Sequence, residues 1–320
     1  MTDPLFLVVN PAAGHGHAGR CLPGVLRAFT EAGVTATRVC ESTGLDHAAA
    51  VAAGAARRGE TVVAVGGDGL VGTLAGAVSG AGGVLGIIPA GRGNDFARML
   101  GIPPGAAAAA RAVVTGKPQP VDLIGVRAPG GQETVVAGSV YLGIVAKGGE
   151  IVGRARWVRG PLGYQLAGIR ALAAWQQARF AVASASPGGE GAGGTGSGQR
   201  QEFPGYCVVV ANSGYLAAGL NAAPTADLAD GLLDVLTVTH GSRASFVRIM
   251  RRAAKGTHVG MGQVGLHRAA TVTVTADRPM PAAADGETLP FAAPLPPGVP
   301  LTIRALPAAL RVMCPAAPAG

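Results

Sequence analysis

Five short segments of this 320-residue chain carry the residue types that bind phosphate and move protons. Gly66-Gly67-Asp68-Gly69 follows an apolar run at 61–65 and precedes an apolar stretch at 70–78. Glycine has no Cβ, so a backbone built from it turns sharply and lies close against a ligand. A helix that starts behind such a turn offers free N–H groups and the positive end of its dipole, which suits phosphate. The lone carboxylate of Asp68 reads two ways: as the cap of a tight strand-to-helix turn, or as the organiser of a ribose, a metal-bound water or another polar group. Asn10-Pro11-Ala12-Ala13-Gly14 is a second such turn, and on its own it is equally an ordinary strand-to-helix connection. In Pro89-Ala90-Gly91-Arg92-Gly93-Asn94-Asp95-Phe96-Ala97-Arg98 an amide, a carboxylate and two guanidinium groups crowd together. Asn94 or Asp95 would cap a helix there, but a cap needs fewer polar groups. Asp227, Asp230 and Asp234 lie in one short stretch, and Asp285-Gly286-Glu287 places two carboxylates in one turn. Asp-Gly also favours a plain type I′ hairpin, so that turn reads either way.

The elements that must position these groups follow from the hydrophobic pattern. Apolar runs at 5–9, 34–40, 61–65 and 84–88 alternate with helical patterns near 18–32, 45–58, 94–100 and 106–115. Such alternation argues for an α/β domain, a parallel sheet covered by helices on both faces. Ligands on such sheets sit at the carboxyl ends of the strands, where every glycine-rich turn here falls. From about Val121 the texture becomes β-rich, with runs at 121–126, 134–145, 206–211, 232–239, 270–275 and 301–305. Helical segments near 164–178 and 242–255 interrupt it. This predicts a second domain built as a β-sandwich. The expected division is 1–122, 123–296 and a C-terminal segment, 297–320, that returns to the first domain. The Gly- and Ser-rich stretch 186–200 reads as a flexible hairpin loop or a disordered insert.

Composition narrows the partners. The net charge of +8 favours acidic surfaces and anionic ligands. No nucleic-acid motif or basic–aromatic interleaving is present, so nucleic acid is not an expected partner. The four cysteines, Cys21, Cys40, Cys207 and Cys314, show no CxxC spacing, which argues against zinc and a disulfide framework and fits a reducing cytosol. The opening MTDPLFLVVN has an acid and no basic region, so it reads as a first strand rather than a signal peptide. No apolar run reaches the roughly 20 residues that span a bilayer, so the expectation is a cytoplasmic protein touching membranes only peripherally. Arg248, Arg251, Arg252 and Lys255 recur at helical spacing as one basic face. That is either a solvated face or a dock for anionic lipid. Trp157, Tyr164 and Trp175 are either core aromatics or the wall of an acyl pocket.

Taken in order, Asn10–Gly14, Gly66–Gly69, Pro89–Arg98, Pro224-Thr225-Ala226-Asp227-Leu228-Ala229-Asp230-Gly231-Leu232-Leu233-Asp234-Val235 and Asp285-Gly286-Glu287 resemble the catalytic domain of the diacylglycerol kinase family, soluble bacterial lipid kinases related to sphingosine kinases. The resemblance implies a Rossmann-like N-terminal domain (as in NAD kinases and diacylglycerol kinases), a C-terminal β-sandwich and an active site in the cleft between them. It implies an ATP-dependent transfer of the γ-phosphate to the hydroxyl of diacylglycerol or a related lipid, giving phosphatidic acid or an analogous phospholipid. Asn10, Pro11, Gly14, Ser42, Thr43, Gly66, Gly67, Asp68, Gly69, Arg92, Asn94 and Asp95 would line the ATP site. Asp95 and Asp122 match family acids between the nucleotide and the cleft. Asp230, with the backbone carbonyls of Asp227 and Leu232, would hold Mg²⁺. Asp285 would be the general base and Glu287 its partner. The resemblance further implies a lipid substrate met at a membrane surface, and a homodimer is compatible with it. The chain departs from the commonest pattern at Leu70, Gly72 and Thr73, where many members have Thr, Asn and Glu. His15 stands where a lysine is frequent, with Arg20 nearby as a substitute cation. An NAD kinase-like enzyme, which shares the GGDG turn, and a non-catalytic nucleotide- or lipid-binding regulator on a kinase scaffold are the competing readings.

Overall fold

The computed structural model describes residues 4–154, 161–186, 199–216, 219–289 and 294–315. Trp157 and most of the 186–200 stretch lie outside the described residues, as does the side chain of Tyr164. The chain runs β1 (Leu5–Val9), α1 (Ala13–Glu31), β2 (Thr37–Glu41), α2 (Leu45–Arg57), β3 (Thr61–Gly66), α3 (Asp68–Gly80), β4 (Val84–Pro89), α4 (Asp95–Met99) and α5 (Ala106–Thr115). There follow β5 (Lys117–Arg127), β6 (Thr134–Val136), β7 (Ser139–Gly143), α6 (Ile144–Arg154), α7 (Pro161–Ala174), β8 (Ala178–Ala185) and β9 (Gln199–Ala211). The last third contains β10 (Tyr215–Leu216), β11 (Leu220–Asn221), β12 (Leu233–Thr239), α8 (Arg243–Ala253), β13 (Val264–Ala269), β14 (Thr271–Ala276), β15 (Ala282–Ala284), β16 (Glu287–Thr288) and β17 (Leu301–Cys314).

The first four strands form a parallel sheet in the order β2-β1-β3-β4. β1 and β3 are unbroken runs of buried residues, as strands covered on both faces must be. β2, at the edge, is half-exposed. The chain passes from β1 to one side for β2 and to the other for β3. The carboxyl ends of β1 and β3 therefore flank a topological switch point, the usual crevice for a ligand on such a sheet.

The second half is β-rich and antiparallel, and β9 belongs to both of its layers. Its first half, from Gln199, pairs with β8, and its second half, to Ala211, pairs with β7 and β12. One layer then continues through β7, β15 and β16, the other through β8, β14 and β17, around a core that includes Phe180, Val210 and Ile303. The 134–145 run is not one strand. It breaks at Ala137-Gly138 between β6 and β7 and then turns into α6 at Ile144. β8 and β13 went unread in the sequence because their alternation is weak and short. The helix expected at 164–178 is α7, which ends at Ala174 so that β8 can begin.

β17 ties the halves together. Its Leu301–Arg304 stretch pairs with β14, and its Arg311 and Val312 pair in parallel with Val84 and Leu85 of β4. Leu310, Val312 and Cys314 accordingly sit in the same core as β1, β3 and β4. Between these two stretches the pairing of β17 with β5 skips, and Ala308 adopts a left-handed φ of 49°. Asp122 of β5 fills that bulge. It is 2% exposed, and its carboxylate accepts the N–H of Ala308 at 2.7 Å and of Gly231 at 2.6 Å. Its own N–H donates to the Leu228 carbonyl, and its carbonyl accepts from Asn212 Nδ2. The acid expected between nucleotide and cleft is thus an internal tie among β5, the bulge of β17 and the 224–235 segment. Removing its oxygens breaks two charge-assisted bonds to partly buried N–H groups, worth about 1–3 kcal/mol each. Asp122→Ala should lower the unfolding free energy by about 2–6 kcal/mol in urea titration. A loss under about 0.5 kcal/mol, the scale of an ordinary surface substitution, would refute that role.

Candidate active site

The three glycine turns of the first domain meet at the strand ends. Asn10 closes the first turn by accepting the Ala12 N–H on Oδ1 at 3.1 Å. Gly14, His15 and Gly16 then take left-handed φ values of 58°, 57° and 82° before the regular part of α1 begins. Gly14 lies so close to the Ala90 carbonyl that no Cβ would fit, which sets the first turn directly on the third. Arg20, anticipated as a phosphate cation, donates from Nη1 to the His15 carbonyl at 3.1 Å and steadies this left-handed stretch. Ser42, at the end of β2, binds the Val9 carbonyl through both its N–H and its hydroxyl, while the Thr43 N–H donates to His47 Nδ1.

Gly67 and Gly91 pack backbone on backbone: a Cβ on Gly67 would come within 3.0 Å of the Gly91 Cα. Asn94, left-handed with φ 53°, binds Gly91 on both sides, accepting its N–H at 2.9 Å and donating to its carbonyl at 3.1 Å. Asp68 does cap a helix, but the helix is α4 and not the α3 that it begins. Its carboxylate accepts the N–H groups of Asn94 and Asp95, each at 2.7 Å, and of Phe96 at 3.4 Å. A charged acceptor on N–H groups at a helix start is favoured by both the hydrogen bonds and the dipole. Asp68 therefore binds the second turn to the third. Asp95 is buried and pairs with Arg98 at 2.8 Å, and the Arg98 guanidinium lies over the Tyr215 ring. Leu70 fills the space above Gly66, and Thr73 turns its hydroxyl back to the Gly69 carbonyl at 2.9 Å. These departures are thus packed into α3 and point no polar group into the crevice.

The Asp-Gly-Glu turn of the second domain lies on the first turns of α3. Asp285 has a left-handed φ of 47°. Its carboxylate accepts the N–H of Ala137 at 2.9 Å, of Gly138 at 3.0 Å and of Ser139 at 2.8 Å, the point where the long β run breaks. A Cβ on Gly72 would come to 3.0 Å from Asp285 Oδ2, and one on Gly69 to 3.3 Å from Glu287 Oε1. Glycine at both positions lets the turn come down onto the helix. Burial pushes the Asp285 carboxyl up to about 6 against the pull of the three N–H donors, and the nearby Asp68 charge adds to the rise. Tyr141 accepts the Gly286 N–H on its hydroxyl at 2.9 Å. The tyrosine and the Ala137–Ser139 donors escaped the sequence reading, and Gly72 stood there only as a departure from the family pattern, not as the seat of Asp285. The one available signal was Gly138 inside an apolar strand pattern, a mark of close approach.

Glu287 is exposed and faces a cavity of about 680 Å³, whose walls include Tyr141, Ala146, Lys147, Trp175 and Met280. That size and mostly apolar wall are typical of an organic ligand site. Lys147 is paired with Glu150 at 3.1 Å on the same wall. Of the three aromatics read as either core or pocket wall, Trp175 lines this cavity and also packs against the core of the second domain. Among the expected magnesium ligands, Asp230 and Asp227 have partners within the protein. Asp230 accepts the Leu232 N–H on Oδ1 at 2.9 Å and faces Arg268 with Oδ2 at 3.3 Å, while the Asp227 carboxylate accepts the Ala229 N–H at 3.0 Å. No group of three or more His, Cys, Asp or Glu among the described residues is placed to hold a metal ion.

Comparison with known proteins places the chain. The profile described as "Diacylglycerol kinase catalytic domain" matches residues 4–126, and "YegS C-terminal NAD kinase beta sandwich-like domain" matches residues 138–314. A diacylglycerol kinase of Mycobacterium tuberculosis is 31% identical over 317 residues, which cover 96% of this chain and 94% of that protein. A Bacillus subtilis diacylglycerol kinase is 26% identical over 290 residues, 88% of each chain. A solved structure from Bacillus anthracis, provisionally described as a diacylglycerol kinase, superposes with a TM-score of 0.77 at 22% identity, covering 98% of this chain and 95% of its own. With its glycine turns on a parallel sheet and its Asp-Gly-Glu turn on a β-sandwich, the chain belongs to the diacylglycerol kinase family of lipid kinases.

Proposed function

We propose that this protein transfers the γ-phosphate of Mg·ATP to the hydroxyl of diacylglycerol or a closely related lipid. The observation that carries the reading is the Asp-Gly-Glu turn, seated between the glycine turns of one domain and the 680 Å³ cavity of the other. Mg·ATP is the second substrate, with its phosphates against the bare backbone of Gly67 and Gly91 and its charge met by Arg92. Phosphoryl transfer asks of a protein mainly positioning and electrostatics. The acceptor hydroxyl enters from the cavity. Its oxygen bonds to the γ-phosphorus, the bond from that phosphorus to the β–γ bridging oxygen breaks, and ADP leaves with that electron pair. The hydroxyl proton passes to Asp285, whose raised pKa suits a base near neutral pH. Glu287 positions the acceptor from the cavity wall.

Among the described residues no helix is long and apolar enough to cross a membrane. The lipid is then met at a surface, and α8 supplies one. Arg248, Arg251, Arg252 and Lys255 are exposed, and none of them forms an ion pair among the described residues. Val247 is exposed beside them, at 46%. The buried side of α8, Phe246 and Ile249, shares an apolar cluster with Ile144 of α6 and Leu172 of α7, so α8 stands by the helices that border the cavity with its basic side turned outward. Cationic side chains flanked by apolar ones suit the headgroup layer of an anionic bilayer.

Incubated with labelled ATP, Mg²⁺ and a panel of mixed-micelle lipids, the purified protein should phosphorylate diacylglycerol or a close analogue; no labelled phospholipid from any acceptor would refute the proposal. Glu287→Gln should raise KM for the lipid more than it lowers kcat. Asp285→Asn should abolish turnover, and because its amide would face three N–H donors its melting temperature must be followed as well. Retained turnover in a folded Asp285→Asn protein excludes Asp285 as the base. In the wild type the carboxylate is protonated below about 6, so kcat should fall on the acid side of pH 6 and hold above it. A plateau persisting to pH 5 would contradict the assignment. Reversing Arg248 and Arg252 to Glu should weaken sedimentation with vesicles containing anionic lipid while leaving activity on a short-chain, micellar acceptor unchanged. Undiminished vesicle binding would remove α8 from the account.

A further inference from the structure

We propose that Arg268 is the resident cation of the 224–235 segment and stands where a divalent ion would otherwise be required. Arg268 lies on β13 directly opposite Asp234 of β12. Its guanidinium reaches three oxygen sites of that one segment: Asp230 Oδ2 at 3.3 Å, Asp234 Oδ1 at 3.7 Å and the Thr225 carbonyl. A planar fork of fixed donors is well made for gathering several oxygens, and unlike a bound ion it cannot dissociate.

The pairing matters because Asp234 is 3% exposed. Besides Arg268, its Oδ1 accepts only the Thr225 hydroxyl, at 3.3 Å, among the hydrogen bonds of the described residues. A buried carboxylate that loses its partner is strongly destabilising, so without Arg268 Asp230 and Asp234 would repel each other or recruit another cation. What the guanidinium holds in place reaches the site indirectly. The same segment delivers the Gly231 N–H and the Leu228 carbonyl to Asp122, which in turn anchors Asn212 and the bulge of β17. Arg268 is therefore a positioning residue, and the magnesium expected at Asp230 is replaced by a side chain of the protein itself.

The test needs neither nucleotide nor lipid, so its outcome is independent of the kinase reading. Thermal unfolding of the full chain should give the same midpoint in EDTA and in Mg²⁺, and Mn²⁺ titration followed by electron paramagnetic resonance should show no bound ion that Asp230→Asn removes. Arg268→Gln should lower the midpoint, regain part of the loss in Mg²⁺ and acquire Mn²⁺ binding. Arg268→Lys keeps a positive charge with fewer contacts, and should lie between the two with no response to the metal. Should Arg268→Gln yield no folded protein, the lysine variant carries the test: a Mn²⁺ site appearing in it would overturn the proposal. So would wild-type Mn²⁺ binding that Asp230→Asn abolishes, or an Arg268→Gln midpoint indifferent to Mg²⁺.

Discussion

The two halves of the molecule meet at the site through one carboxylate. Asp285 belongs to a turn of the β-sandwich, is held by three consecutive backbone N–H groups of that sandwich, and lies against the first turns of α3 in the parallel-sheet domain. Three donors favour its charge, yet enclosure outweighs them and lifts its pKa to about 6. The balance depends on how closely α3 approaches, and that approach depends on glycine at positions 69 and 72. A side chain at Gly72 would push the turn away, give the carboxylate more water and weaken the coupling between crevice and cavity.

The same device recurs away from that junction. Asp68 holds the N–H groups that open α4, and Asp122 holds those of Gly231 and Ala308. In each case a carboxylate satisfies donors on a segment distant in sequence, so a loop that would otherwise be soft is fixed by charge-assisted bonds. Glycine supplies the complementary half. Gly14 against Ala90 and Gly67 against Gly91 let three turns from three strands nest with backbone on backbone. The result is a crevice lined by main chain, a surface that binds phosphate with little demand on side-chain identity.

Much of this was legible in the sequence, because the parallel-sheet strands are uniform apolar runs and each ends in a turn of distinctive composition. The three glycine-rich motifs of the first domain fall at the carboxyl ends of β1, β3 and β4. What stayed hidden depended on distant partners. Asp68 read either as a cap for the helix it begins or as the organiser of a polar ligand, since nothing local reveals that α4, 26 residues on, presents its N–H groups to it. Residues 134–145 read as one strand because the break at Ala137-Gly138 exists to serve Asp285, 147 residues away. Arg268, on the strand beside the Asp230 segment, was equally hidden, because nothing in the 224–235 motif points to it. In all three cases the partner lies on a distant segment, and periodicity carries no information about contacts between sheets or domains.

The central claim is that the fold lifts the Asp285 carboxyl to where it can take a proton at neutral pH, and its titration can be observed directly. Side-chain carboxyl carbon shifts followed by NMR from pH 3 to pH 8, with Asp285→Asn to assign the resonance, should show Asp285 titrating near 6. A midpoint at the ordinary aspartate value, near 3.9, would contradict the account and leave this turn a structural joint alone.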